Sequence, residues 1–250
     1  MAIIYSREQG GTRYEIRTAG NSVRLYANGV LHTQYNPRHQ ATGGVWDLLA
    51  LPAAALPRVE RVLLLGVGGG AAVQLLRQWF PGVAITGVDL NRLHLSLARR
   101  FFGIGPRQAT LIEADARLFV KHYRGEPFDL VIEDLFGDGE GEPQRAIDAD
   151  RSWCRALQRL VAPGGALAIN TLSRRQLHET AFVQDPVLRR AWPGQLYMTL
   201  PAYENVVGAF FRSPVDPTHL HAAIRGHKLL ANLEKTGKLR YRIHRAKTPV

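Results

Sequence analysis

RVLLLGVGGGAAVQLLRQWFPGVAITGVD, residues 61–89, decides how the rest of this chain is read. The apolar run at 62–65 predicts a buried strand, and it breaks into Gly66, Gly68, Gly69 and Gly70. Val73, Leu75, Leu76 and Trp79 follow at helical spacing, and Phe80-Pro81-Gly82 stops the helix. A second strand over 83–88 ends in Asp89. Strand, glycine turn, helix, strand and terminal acid is the plan of a nucleotide-binding half-sheet. Glycines let backbone approach a ligand, the helix start presents unpaired N–H groups, and the acid can accept both hydroxyls of a ribose. The spacing Gly66-x-Gly68-x-Gly70 is not the G-x-G-x-x-G of dinucleotide sites. It is not a P-loop either, because Ala71-Ala72 stand where Lys-Ser/Thr would be needed.

The chain has 250 residues, enough for one α/β domain and a small appendage, and its 46% apolar content predicts a full core. No apolar run approaches the roughly 20 residues of a membrane span, and the start MAIIYSREQGG lacks a signal peptide's apolar segment. Cys154, the single cysteine, falls in a helical pattern and reads as a small buried hydrophobe. A reducing, cytoplasmic setting is expected. The net charge of +11 invites a nucleic-acid reading, but the excess gathers near the C-terminus without zinc-finger, RNP or basic–aromatic patterns. A polyanion partner is therefore disfavoured, and so is a membrane.

Residues 12–35 alternate and are punctuated by Asn28-Gly29, the strongest short hairpin signal. After Asp89, helical patterns at 91–102, 117–123 and 152–161 alternate with strand patterns at 109–113, 128–132 and 166–170. A helix over 176–190, strands over 196–200 and 206–212 and a helix over 216–234 complete the chain. Such alternation predicts an α/β fold with a mostly parallel seven-stranded sheet, covered by helices on both faces. The expected division is a β-hairpin domain at 1–44, a Rossmann-like domain at 45–234 and a basic tail at 235–250.

Ligands of open α/β sheets bind beyond the carboxyl ends of the strands. Polar residues gather there: Asp89, Asp115, Asp134 and Asn170-Thr171 follow successive strands. Each acid alone could be a helix N-cap, and for Asp115 capping is a serious rival. Together they describe a nucleoside cleft, with Asp89 at the ribose, Asp115 at the adenine and Asp134 near the reacting centre.

The glycine pattern resembles motif I of class I S-adenosylmethionine-dependent transferases. The order of segments resembles the spermidine/spermine synthase family of aminopropyltransferases. Asn28-Gly29-Val30-Leu31-His32 is similar to that family's hairpin motif, and Leu65-Gly66-Val67-Gly68-Gly69-Gly70 to its glycine motif. Asp89 stands for its ribose acid, Asp115-Ala116 for its adenine contact and Asp134 for its catalytic aspartate. Leu200-Pro201-Ala202-Tyr203 resembles its acceptor-side segment. The resemblance implies a class I methyltransferase fold behind an N-terminal hairpin, a dimer or tetramer, and substrate contacts from His32, Gln34, Asp138 and Tyr203. Departures fall on the amine side. Gly69 stands where the family carries an aspartate, and the segment after strand four reads Asp134-Leu-Phe-Gly-Asp138 without the family's proline.

Two transferase readings follow. In aminopropyl transfer from decarboxylated S-adenosylmethionine to an amine such as putrescine, Asp134 accepts the proton of the attacking amine. Seven of the 21 acids (Glu133, Asp134, Asp138, Glu140, Glu142, Asp148 and Asp150) lie beside strand four, which suits a cationic acceptor. In methyl transfer, the intact S-adenosylmethionine is the donor, and Gly69 relieves repulsion with its carboxylate. A non-catalytic nucleoside- or nucleic-acid-binding protein is the remaining alternative. No metal is expected, because the histidines are scattered.

Overall fold

The apolar run at 62–65 is fully buried and hydrogen-bonded to a parallel strand on each side. The computed structural model describes residues 1–139, 142–201 and 203–246. Four strands, β1 (Ala2–Gln9), β2 (Thr12–Ala19), β3 (Ser22–Ala27) and β4 (Val30–Tyr35), form an antiparallel sheet in sequence order. Asn28 and Gly29 both take positive φ in the turn between β3 and β4, the conformation that Asn-Gly hairpins require.

Helix α1 (Val45–Ala50) and a 3₁₀ turn (Leu51–Ala55) lead into the alternating part. That part runs β5 (Arg61–Leu65), α2 (Ala71–Trp79), β6 (Ala84–Asp89), α3 (Arg92–Phe102), β7 (Thr110–Glu113), α4 (Ala116–His122) and β8 (Phe128–Glu133). A hairpin of β9 (Phe136–Gly139) and β10 (Glu142–Arg145) precedes α5 (Arg151–Leu160) and β11 (Val161–Thr171). Short helices α6 (Arg174–Glu179), α7 (Ala181–Gln184) and α8 (Pro186–Arg190) come next. The chain then continues through β12 (Gly194–Thr199), β13 (Val206–Phe211), α9 (Pro217–Gly226), α10 (Lys228–Lys235) and β14 (Arg242–Arg245).

The central sheet has the order β14-β12-β13-β11-β8-β5-β6-β7. β11, β8, β5, β6 and β7 are mutually parallel, while β13, β12 and β14 run antiparallel. Side chains alternate across the pleat, so the continuous apolar strands feed two cores at once. Val62, Leu64, Leu130 and Ile132 join the layer under α2 and α3. Leu63, Leu65 and Val131 join the layer under α4 and α5. The carboxyl ends of β5, β6, β7, β8 and β11 share one edge of the sheet.

Four features depart from the sequence reading. The sheet has eight strands rather than seven, because Arg242–Arg245 pairs with β12. Residues expected as a basic tail thus belong to the fold through Ala246: Leu239 is buried and Tyr241 packs on the core, while 247–250 lie outside the described residues. The helix expected over 176–190 is three pieces: Thr180 takes an extended conformation between α6 and α7, and Asp185 does so before Pro186 and caps α8. The helix over 216–234 breaks at His227, whose ring holds the Trp79 carbonyl at 2.8 Å.

Candidate functional site

At the carboxyl edge the glycine turn is tightened by its neighbours. Gly66 has φ +88°, and a Cβ there would strike the Asp134 carbonyl oxygen. At Gly69 a Cβ would lie 2.9 Å from both the Phe102 ring and the Thr33 methyl. The Gly69 N–H donates to Thr33 Oγ1 at 2.6 Å, so β4 of the N-terminal sheet rests on the turn. Gly70 starts α2 at φ +87° against Ile104, away from the ligand space.

The turn opens on a cavity of about 1040 Å³ between the two sheets. Gly66, Gly68, Asp89, Asp134, His32 and Tyr203, all expected at the site, line it together. Asp89 Oδ2 accepts the N–H groups of Val67 and Gly68 at 2.9 Å, and Oδ1 accepts that of Asn91 at 2.8 Å. Burial opposes its charge, but His94 at 3.7 Å and the backbone donors outweigh burial and hold its carboxyl below the ordinary value. The acid therefore stays ionised while it shapes the turn.

Asp134 leaves the end of β8, and its Oδ1 accepts from Asn170 Nδ2 at 2.8 Å. Burial pushes its carboxyl up to about 6; the Asn170 bond pulls down, and the neighbouring Glu133 pushes up again. Glu133 points to the opposite side of the strand, fully buried. Arg145 donates to both of its oxygens, at 2.7 and 3.0 Å, and Trp153 Nε1 donates at 3.1 Å. This pair roots the β9–β10 hairpin, whose Phe136, Gly137 and Pro143 form part of the cavity rim. Tyr203 lines the cavity with its hydroxyl beside Gly44 and Trp46, held in the neutral form by burial and by Asp47.

Besides Gly70, the expected contacts Asp115, Ala116 and Gln34 are placed elsewhere. Asp115 caps α4, with Oδ1 accepting from Arg117 N at 2.6 Å and Leu118 N at 3.3 Å, and neither it nor Ala116 lines the cavity. The rival reading of Asp115 as a cap describes its bonds, and Glu113 at the tip of β7 lines the cavity instead. Gln34 donates to the Thr42 carbonyl at 3.1 Å and is likewise not among the lining residues. The Asp138 backbone is placed in β9, but its side chain lies outside the described residues.

Tyr14, Trp46, His94, Asn170 and Asn205 line the cavity without having been assigned to it. Asn170 was visible at a strand tip. Asn205 carries no local signal, since only the pairing of Thr171 with Val206 brings it beside Asn170.

No protein-family model matches the chain. Over 130 residues it is 29% identical to the polyamine aminopropyltransferase of Vibrio vulnificus, covering 50% of this chain and 42% of that protein. Over 105 residues it is 34% identical to polyamine aminopropyltransferase 2 of Caldanaerobacter subterraneus, covering 40% of this chain and 35% of that protein. The matched stretches thus span less than half the length of these two relatives.

Among solved structures, a probable spermidine synthase from Corynebacterium glutamicum superposes with TM-score 0.72 at 16% identity, covering 96% of each chain. A spermidine synthase in complex with the transition-state analogue AdoDATO gives TM-score 0.67 at 17% identity, over 87% of this chain and 76% of that one. Human methyltransferase-like protein 13 in complex with SAH gives 0.56 at 19% identity, over 78% and 90%. At these identities the likeness concerns the fold. The chain has the class I methyltransferase fold in the form found in spermidine synthases, and its relatives are polyamine aminopropyltransferases, the family its motifs resemble.

Proposed function

We propose that the protein transfers an aminopropyl group from decarboxylated S-adenosylmethionine to a small amine such as putrescine. The observation that carries this reading is Asp134. It is a half-buried carboxylate at the end of β8, on the wall of a nucleoside-sized cavity, with one oxygen held by Asn170. The amine lone pair attacks the carbon beside the sulfonium, the carbon–sulfur bond breaks, and its electron pair leaves with neutral methylthioadenosine. The proton released by the attacking nitrogen goes to Asp134. A free amine has a pKa near that of lysine, about 10.4, so the site must take that proton and hold the nitrogen in line. The departing sulfur is already activated by its charge and needs no acid. Asp89 and the glycine turn fit the nucleoside, and the walls at Leu31, Val67 and Leu90 are apolar, as small-molecule sites commonly are.

Methyl transfer from S-adenosylmethionine is the second reading, and one observation favours it. The place where an aspartate would hold the donor amine is filled by Thr33 and Phe102. Thermal unfolding with methylthioadenosine, decarboxylated S-adenosylmethionine and S-adenosylhomocysteine separates the two, since a ligand that binds only the folded state raises the midpoint. Stabilisation by the first two ligands is expected. Preference for S-adenosylhomocysteine would instead move the assignment to methyl transfer.

The N-terminal sheet supports self-association. β1 is an edge strand whose outer side is unpaired, and Ile3 and Ile4 are 51% and 50% exposed on it. An edge strand with an exposed apolar first half, Ala2–Tyr5, is a template for pairing with another strand, here that of a second copy. The wild type is expected to run as a dimer or larger by light scattering and Ile3→Lys as a smaller species. A wild-type monomer at micromolar concentration would remove this reading.

A further inference from the structure

Asp134 is held by a chain of amides that the proposed reaction does not itself call for. Asn170, at the end of β11 and only 3% exposed, gives Nδ2 to Asp134 Oδ1 at 2.8 Å. Its Oδ1 accepts from Asn205 Nδ2 at 3.1 Å, across the β11–β13 pair. Its backbone carbonyl accepts from Arg145, the same guanidinium that grips Glu133. An ionised carboxylate can only accept, so Asn170 must turn its nitrogen toward Asp134. Its oxygen then faces Asn205, which must present a donor in turn. The polarity of the chain is thereby dictated from the acid outward.

We propose that Asn170, locked by Asn205, is the positioning residue of this site: it fixes the carboxylate rotation of Asp134 so that Oδ2 is presented to the acceptor nitrogen. This rests on the aminopropyl reading for its chemistry but not for its geometry. Asp134 Oδ2 carries no protein hydrogen bond among the described residues, so the held oxygen and the free one are distinct. Without the amide, the carboxylate can rotate and present either oxygen at a poorer angle, and small displacements of a base are costly in rate. The amide also favours the ionised form, which is the form that accepts a proton. Asn170 touches Asp134 rather than the reacting atoms, so its role is positioning and not proton transfer.

The charged groups that face Asp134 are Glu133 from its own strand, Arg145 from β10 and Asp89 from β6. None of them is altered in Asn170→Leu or Asn205→Leu, so a shift in these variants reports the amide chain. The experiment is a ¹³C titration of the Asp134 carboxyl, assigned with Asp134→Asn, beside pH profiles of kcat/KM. Asn170→Leu is expected to move the carboxyl midpoint upward by about one pH unit, a typical size for losing a bond to the charged form. The acid limb of kcat/KM moves with it, and kcat falls more than KM rises. Asn205→Leu shifts the midpoint in the same direction by less, and Asn205→Ser, which keeps a hydroxyl donor, restores most of it. Asn205 lies in a half-buried loop, so its variants keep the test open if Asn170→Leu does not fold.

An unmoved carboxyl midpoint in folded Asn170→Leu, or in both Asn205 variants where it does not fold, overturns the proposal. Absence of aminopropyl transfer by the wild type would refute the reaction instead, and the carboxyl titration, which needs no turnover, would still decide the positioning.

Discussion

Asp134→Asn is expected to lower kcat for aminopropyl transfer by about 10²–10⁴-fold, the range that a positioned general base contributes. The asparagine keeps the shape and still meets Asn170, so the nucleoside half of the cavity is preserved. Methylthioadenosine affinity is expected to stay within about threefold. That split is what distinguishes loss of a base from loss of a fold, and calorimetric binding beside single-turnover rates measures both halves. In the wild type, burial places the Asp134 carboxyl at about 6. The base is competent above that pH and is lost as pH falls through it, so kcat/KM should show an acid limb near 6. Deprotonation of the acceptor, with a pKa near 10, continues the rise toward higher pH. Retained turnover in Asp134→Asn would remove the aspartate from the mechanism.

The second large effect concerns stability. Arg145→Met leaves the Glu133 carboxylate buried and without its cation, a loss of about 3–5 kcal/mol for a broken buried pair. For a domain of this size that is a Tm lower by roughly 10 °C. The dependence on pH has a definite sign. Burial raises the Glu133 carboxyl in the folded protein above its ordinary value, against the pull of Arg145 and Trp153. The folded state then binds more protons than the unfolded one between the two pKa values, and stability falls as pH rises through that interval. Without Arg145 the interval widens, so the variant should be nearer the wild type at pH 5 than at pH 8. Urea unfolding at the two pH values measures this. An equal deficit at both would mean that Glu133 is neutral in the wild type as well.

Much of the architecture was legible because it is carried by local patterns. The buried strands β5, β6 and β8, the glycine turn and the Asn-Gly hairpin follow from apolar runs and turn chemistry alone. The sheet edges were not. β1 is exposed on both faces, so its sequence AIIYSREQ has no inside–outside alternation to read. β14 is four residues of mixed character that become a strand only because β12 offers a free edge. Asp185-Pro186 did announce the break between α7 and α8, but the apolar periodicity on either side hid it.

At the site, Asp89 and Asp134 leave different strand tips and line one cavity. Asp115 shows why tip position alone does not specify a ligand contact: both it and Asp89 accept backbone N–H groups, but Asp89 lines the cavity and Asp115 does not. The glycines carry a related lesson. Their spacing suggested close approach of a ligand, yet Gly66 is pressed by the Asp134 carbonyl and Gly69 by Thr33 and Phe102. Protein backbone and side chains, as well as any nucleoside, require those positions to be bare.

This seating of β4 on the turn ties position 69 to the joint between the two sheets. An acidic side chain cannot be installed at 69 by itself, since it would arrive in space that Thr33 and Phe102 already fill. Those two positions must shrink first, and shrinking either one opens a hole in the joint between the sheets before any benefit accrues. Position 69 is thus coupled to 33 and 102: a side chain there needs smaller neighbours, and each smaller neighbour alone leaves a cavity that costs stability.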